Sequence, residues 1–197
     1  MRTLVLDKAS WATRSEVTRG VIQDVWGCIS DLADQYPDFH QWFEQKVIPG
    51  IRIGERTLLV EYRSGKIAGL VVLKETDEEQ KLCCLRVMED FHSTGLGIRL
   101  FERSFELLNN DKPLLSISDT RFPSFVRVCH YFGFRLEQEL TGLYRPGHTE
   151  YVFNGVLSDN RHERELHIPH YQGTLSKLAP PAVEIVFQPS RVLLRPG

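Results

Sequence analysis

The chain has 197 residues, 42% of them hydrophobic and 25% charged, with a formal net charge of −2 and a pI near 6.4. That length suits one domain with a sizeable core and a terminal extension. The balance of charge lacks the basic excess of a nucleic-acid glove, so a nucleic-acid partner is disfavoured. No apolar run reaches the length of a membrane span, and Asp7 comes too early for a secretion signal, so a cytoplasmic location is expected. Cys28, Cys83, Cys84 and Cys129 have no zinc-like spacing and read as buried free thiols. Cys83 and Cys84, adjacent in a strand, are expected to face opposite ways.

In chain order, TLVLD (3–7) predicts a short strand. Thr13 to Glu16 has the pattern of a capping box, and Val17, Val21, Val25, Ile29 and Leu32 follow at helical spacing. DFHQWFEQKVI (38–48) predicts a second helix closed by Pro49-Gly50. Three strands come next, 56–63, 67–75 and 81–89, with a Ser64-Gly65 turn and a short polar connection favouring an antiparallel meander. A helix over 98–109, a strand over 113–119, a helix over 123–132 and strands over 134–140 and 149–157 complete the pattern. The order is β-αα-βββ-α-β-α-ββ. It predicts a mixed α/β domain, of the α+β kind, around a partly antiparallel sheet. Residues 1–157 form the domain. Residues 158–197, polar and then proline-rich, read as an extension in which VEIVF and RVLL could make a short hairpin.

Between the third meander strand and the next helix lies His92-Ser93-Thr94-Gly95-Leu96-Gly97. A strand, a glycine turn and a helix start suit phosphate. The first helical N–H groups lack partners within the helix, and the helix dipole favours an anion there. Gly95 and Gly97 would let a pyrophosphate approach the backbone, Ser93 and Thr94 offer hydroxyls, and Arg99 could reach a further phosphate. The loop is neither a Rossmann fingerprint nor a Walker loop, because the third glycine of the first and the Gly-Lys-Ser/Thr of the second are missing.

Residues 81–108 resemble the acetyl-CoA site of the GNAT N-acetyltransferases, whose signature is Arg or Gln, two residues, Gly, one residue, then Gly or Ala. Gly95 and Gly97 match, and His92 stands at the Arg or Gln position. FVRVCHYFGF (125–134) resembles the Gly-Phe block of that family, and the element order agrees over 1–157. The resemblance implies acetyl-CoA as co-substrate and no metal. The backbone of Leu85, Val87 and Met88 would hold the pantetheine arm, the loop 92–97 would hold the pyrophosphate, and Ser124 would stand for the asparagine early in the following helix.

The resemblance implies direct attack of an amine on the thioester, through a tetrahedral intermediate and without a covalent enzyme adduct. The tyrosine that often serves as general acid is replaced by Cys129. Tyr131 and Cys129 are the candidates for proton donor. Glu61, with Glu89 and Asp90, is a candidate general base. Trp42 and Phe43 are candidates for the acceptor wall, and Trp26 for the core. His162, His167 and His170 match no zinc motif. The acceptor's class stays open. So do a non-catalytic CoA-binding or protein-interaction module on the same fold, and a homodimer through the tail.

Overall fold

The computed structural model describes residues 2–13 and 15–157. The tail hairpin and the tail histidines lie outside the described residues. Seven strands, β1 Arg2–Leu6, β2 Arg56–Arg63, β3 Lys66–Glu75, β4 Gln80–Val87, β5 Leu114–Ser118, β6 Leu136–Thr141 and β7 Thr149–Phe153, form one sheet. Their order is β1-β2-β3-β4-β5-β7-β6. Every pairing is antiparallel except β4 with β5. The mixed, largely antiparallel sheet expected from the sequence is present, with strand ends shifted by a residue or two except at β7, which stops at Phe153, four residues short of the expected end.

β3 is the central strand. Ile67–Leu73 is buried throughout, because apolar layers cover both faces of the sheet. On one face, Leu59, Val71 and Leu115 pack beneath α5 (Leu96–Leu108) and α6 (Phe122–Tyr131). The buried stripe of α5 is Leu96, Leu100, Phe101, Ser104 and Leu108, with Phe105 partly covered. Each such Leu or Phe contributes about 1.5–3 kcal/mol of burial. On the other face, Leu58, Val60, Leu70 and Val72 pack beneath α2 (Ser15–Ile29), α3 (Phe39–Trp42) and α4 (Ile48–Ile53).

Four local expectations are corrected. Val17 is 53% exposed, and the buried stripe of α2 is Thr18, Val21, Ile22, Val25 and Ile29. The Thr13 hydroxyl donates backward to the Ala9 carbonyl at the end of α1 (Lys8–Thr13), so it belongs to the preceding helix and does not open α2. Pro49-Gly50 does not close the second helix. A π-turn over Phe43–Val47 widens the backbone just before Pro49, which sits in the first turn of α4, where its missing N–H costs nothing. The helix stops instead at Gly54, at φ +94°.

The fourth correction concerns the cysteines. The β3–β4 register jumps between Val72↔Cys84 and Leu73↔Leu82, leaving Cys83 as a bulge residue. Cys83 and Cys84 therefore both pack toward the α2–α4 side, while Leu82 and Leu85 pack toward α5.

Candidate functional site: a cleft where two strands part

The bulge at Cys83 has a consequence for the sheet. β4 and β5 pair at Lys81↔Leu114 and Leu82↔Leu115, and then separate. On its other edge β4 stays paired with β3 as far as Val87↔Gly69, and the Met88 N–H donates to the Ala68 carbonyl at 2.9 Å. In an antiparallel ladder alternate residues point their backbone groups to opposite edges. The backbone of Leu85 and Val87 therefore faces the gap left by β5. A cavity of about 1120 Å³ fills the gap, lined on one edge by Cys83 through Met88 and on the other by Leu115 through Ser118.

One end of the cavity reaches the glycine loop, where His92, Ser93, Gly95, Leu96 and Gly97 line it, and Ser124 lines it from α6. Gly95 is the N-cap residue of α5 at φ +73°, a conformation glycine adopts without the strain of a side chain. No side chain caps this helix start, so its first amides remain available to a ligand. A Cβ on Gly97 would come no closer than 3.8 Å to Val87 Cγ2, an ordinary contact. The fold thus has no packing need for glycine there. The bare backbone leaves room beside the free amides, and these residues fit a pyrophosphate.

Three residues, His92 and Thr94 of the loop and Arg99 of α5, act otherwise than the sequence suggested. His92 Nε2 lies 3.0 Å from the Val87 carbonyl oxygen, which can only accept, so that nitrogen carries the ring proton. In the neutral ring no N–H then remains for a phosphate, and His92 closes the loop onto the end of β4. Thr94 donates to the Phe91 carbonyl at 2.7 Å and receives Arg63 at 3.3 Å. Arg99 is exposed and reaches back to the Thr94 carbonyl at 3.4 Å. Thr94 and Arg99 brace the loop from outside the cavity lining.

The catalytic candidates from the sequence are not brought together. Tyr131 is 67% exposed, on the outer side of α6 against Phe132, and does not line the cavity. Cys129 is fully buried in the α5–α6 core, and burial pushes its thiol up to about 12. Glu61 is buried beneath the Thr3 hydroxyl, which donates to it at 2.6 Å across the β1–β2 pair, far along the sheet from the gap. None of the three lines the cavity. Helical phase turns Tyr131 outward and Cys129 inward, and β3 and β4 lie between β2 and β5. Glu89 lines the cavity rim, while Asp90 pairs with Lys66 at 4.0 Å. Trp42 lines the cavity, whereas Phe43 is in the core and Trp26 packs on Phe39 and Phe43.

The cavity also carries a polar group that the sequence reading missed. Leu115 and Ile117 point into the α5–α6 core, so Ser116 and Ser118 face the other way. Tyr36 covers them, edge-on to Tyr144 at 5.6 Å, and all four line the cavity. Burial pushes the Tyr36 phenol up to about 12, aided by the neighbouring charge of Glu150, so it stays a neutral hydroxyl. Glu150, opposite Ser118 on β7, is 4% exposed. The alternation in LLSIS and TEYVF marked these polar positions, but only the β5–β7 pairing joins them. Arg86 and Asp31 make a two-pronged ion pair that ties β4 to the turn after α2, with the second prong at 2.8 Å. Among the described residues no cluster of three metal-ligating side chains occurs, and no helix is long and apolar enough to cross a membrane.

With helices α1–α4 between β1 and β2, a bulged β4 parting from β5, and a glycine loop at the start of α5, the chain has the mixed, largely antiparallel architecture that the resemblance to the GNAT acetyltransferases implied. No family model matches the chain, and no curated protein matches it. Among solved structures it is similar to a chain named as a GNAT-family acetyltransferase from Desulfovibrio desulfuricans, with 16% identity, a TM-score of 0.48, and coverage of 56% of this chain and 73% of that one. A GNAT-family acetyltransferase from Elizabethkingia anophelis, with acetyl-CoA bound, is similar at 13% identity and a TM-score of 0.46, covering 56% of this chain and 78% of that one. Nourseothricin acetyltransferase is similar at 19% identity and a TM-score of 0.45, covering 50% of this chain and 64%, less than two thirds, of its own.

Proposed function

We propose that the chain is an acetyl-CoA-dependent N-acetyltransferase acting on an amine of a class still open, in the cytoplasm. The observation that carries this reading is the parting of β4 from β5 into a cavity that ends at the uncapped start of α5, beside a glycine the fold does not need. The outward backbone of Leu85 and Val87 would take a pantetheine arm as an added strand, and the amides after Gly95 would take the pyrophosphate. Holding the thioester and the amine in one water-poor gap would supply much of the rate. Isothermal titration with acetyl-CoA, repeated on Gly97→Val, tests it. Saturable binding lost in the variant supports the reading, and retained affinity in the variant refutes the role of the loop.

A CoA-binding module without turnover is the second reading, and one observation favours it: neither Tyr131 nor Cys129 presents a proton donor to the cavity. Thiol release from acetyl-CoA that depends on an added amine would exclude that alternative.

A further inference from the structure

Glu150 Oε2 is buried and has no hydrogen-bond partner. A carboxyl placed this way is costly unless something uses it. The hydroxyls of Ser116 and Tyr36 favour its ionised form, and both hydroxyl residues also line the main cavity. Behind them lies a second, smaller cavity of about 10 Å³, roughly the room one water needs, lined by Glu150 together with Ser118 and Tyr144 of the main cavity. Glu150 therefore stands behind hydroxyls that line the cleft, on the sheet face opposite the α5–α6 core.

We infer that Glu150 is the proton acceptor for the incoming amine, reached through the hydroxyls of Tyr36 and Ser116. The inference rests on the acetyltransferase reading and adds to it the route the proton takes. A primary amine enters as its ammonium ion and passes one proton along a hydroxyl to the Glu150 carboxylate. The freed nitrogen forms the C–N bond to the thioester carbonyl carbon, the C–S bond breaks, and a second N–H proton neutralises the departing thiolate. Amide and thiol are the products, and Glu150 returns its proton to solvent.

Burial raises the Glu150 carboxyl to about 7, which suits a base working near neutrality. The charges facing it come from several elements. Lys81 on β4 pulls it down and Asp119 after β5 pushes it up. Arg145 and His148, in the β6–β7 connection, line the smaller cavity, and His148 is engaged by Asp119 at 3.0 Å.

The test follows thiol release from acetyl-CoA with spermidine, L-lysine and benzylamine as acceptors, from pH 5.5 to 9. In the unaltered chain kcat/KM should rise through a limb near pH 7. Glu150→Gln should lose that limb and lower kcat about 100-fold, with acetyl-CoA affinity by titration unchanged. Hydroxylamine, whose nitrogen is already unprotonated at neutral pH, should be acetylated by both forms to within a few-fold, which a merely structural defect would not allow. If Glu150→Gln fails to fold by circular dichroism, Tyr36→Phe with Ser116→Ala decides, and should reproduce the loss.

Equal pH profiles in the unaltered and altered chains would overturn this inference and leave the acetyltransferase reading standing. Thiol release with none of the amines despite bound acetyl-CoA would overturn this inference too, and would favour the CoA-binding module without turnover over the acetyltransferase reading. Failure of acetyl-CoA to bind the unaltered chain overturns the acetyltransferase reading itself, and this inference with it.

Discussion

At the scale of single residues, Gly97 separates what the fold needs from what a ligand would need. An added methyl there meets only an ordinary contact at Val87. Gly97→Ala should therefore leave stability unchanged or raise it by up to about 1 kcal/mol, since alanine is the better helix former. The same change should weaken acetyl-CoA binding. Thermal melts and titration on one preparation read both signs, and a loss of stability would mean that the glycine serves packing. Gly95 behaves differently, because its left-handed φ of +73° makes Gly95→Ala cost about 1–2 kcal/mol. Tyr131 is the complementary case. Its ring is exposed and away from the cleft, so Tyr131→Phe should leave thiol release within two-fold, roughly, of the unaltered chain. A hundred-fold loss would restore it as the proton donor.

At the scale of elements, the site is made by one inserted residue. Cys83 bulges out of β4, the pairing with β5 stops at Leu82↔Leu115, and the freed edge of β4 turns to the gap. Helix α5 presents its uncapped start to the cavity and is held by its buried stripe. Phe101 is 1% exposed at the centre of the aromatic group made with Phe105, Phe132 and Phe134. Phe101→Ala should cost about 3–5 kcal/mol in denaturant unfolding, and a cost below about 1 kcal/mol would mean the helix is not anchored there.

The element order and the glycine loop were legible in the sequence because both are local. Apolar periods of 2 and 3.6 and turn residues such as Ser64-Gly65 act within a dozen positions. The bulge was not legible, since KLCCLRV carries no glycine to mark it and only the Val72 register exposes it. The path through Pro49 was hidden for a similar reason, because the π-turn that relieves the proline lies in the residues before it. Tyr131 and Cys129 were chosen by their distance from a motif. Which of them faces the cleft depends on the rotation of α6, and that is decided by Phe122, Val128 and Cys129 entering the core.

At the scale of the whole molecule, the buried carboxyl makes stability depend on pH in an unusual direction. Glu150 is raised from 4.5 to about 7, so the folded chain holds a proton that the unfolded chain releases. Its contribution is fully present below pH 4.5 and is lost as pH rises through about 7. The size is on the order of 3 kcal/mol. Asp31, held low chiefly by its bond from Arg86, and Asp119, held low chiefly by His148, act oppositely. Their contributions are present above the ordinary carboxylate range and fade as pH falls below it. Unfolding free energy should therefore decline between pH 5 and 7.5, and Glu150→Gln should flatten that decline. An unchanged slope in the variant would mean that Glu150 titrates as an ordinary surface carboxylate.

The parting of β4 from β5, the uncapped α5 and the bare Gly97 converge on one claim, that the cleft holds an acyl-CoA thioester. Isothermal titration of the full chain with acetyl-CoA tests it most directly. The titration should show one saturable site well below millimolar concentration, abolished by Gly97→Val in a chain that still melts cooperatively. A flat isotherm at millimolar acetyl-CoA would contradict it.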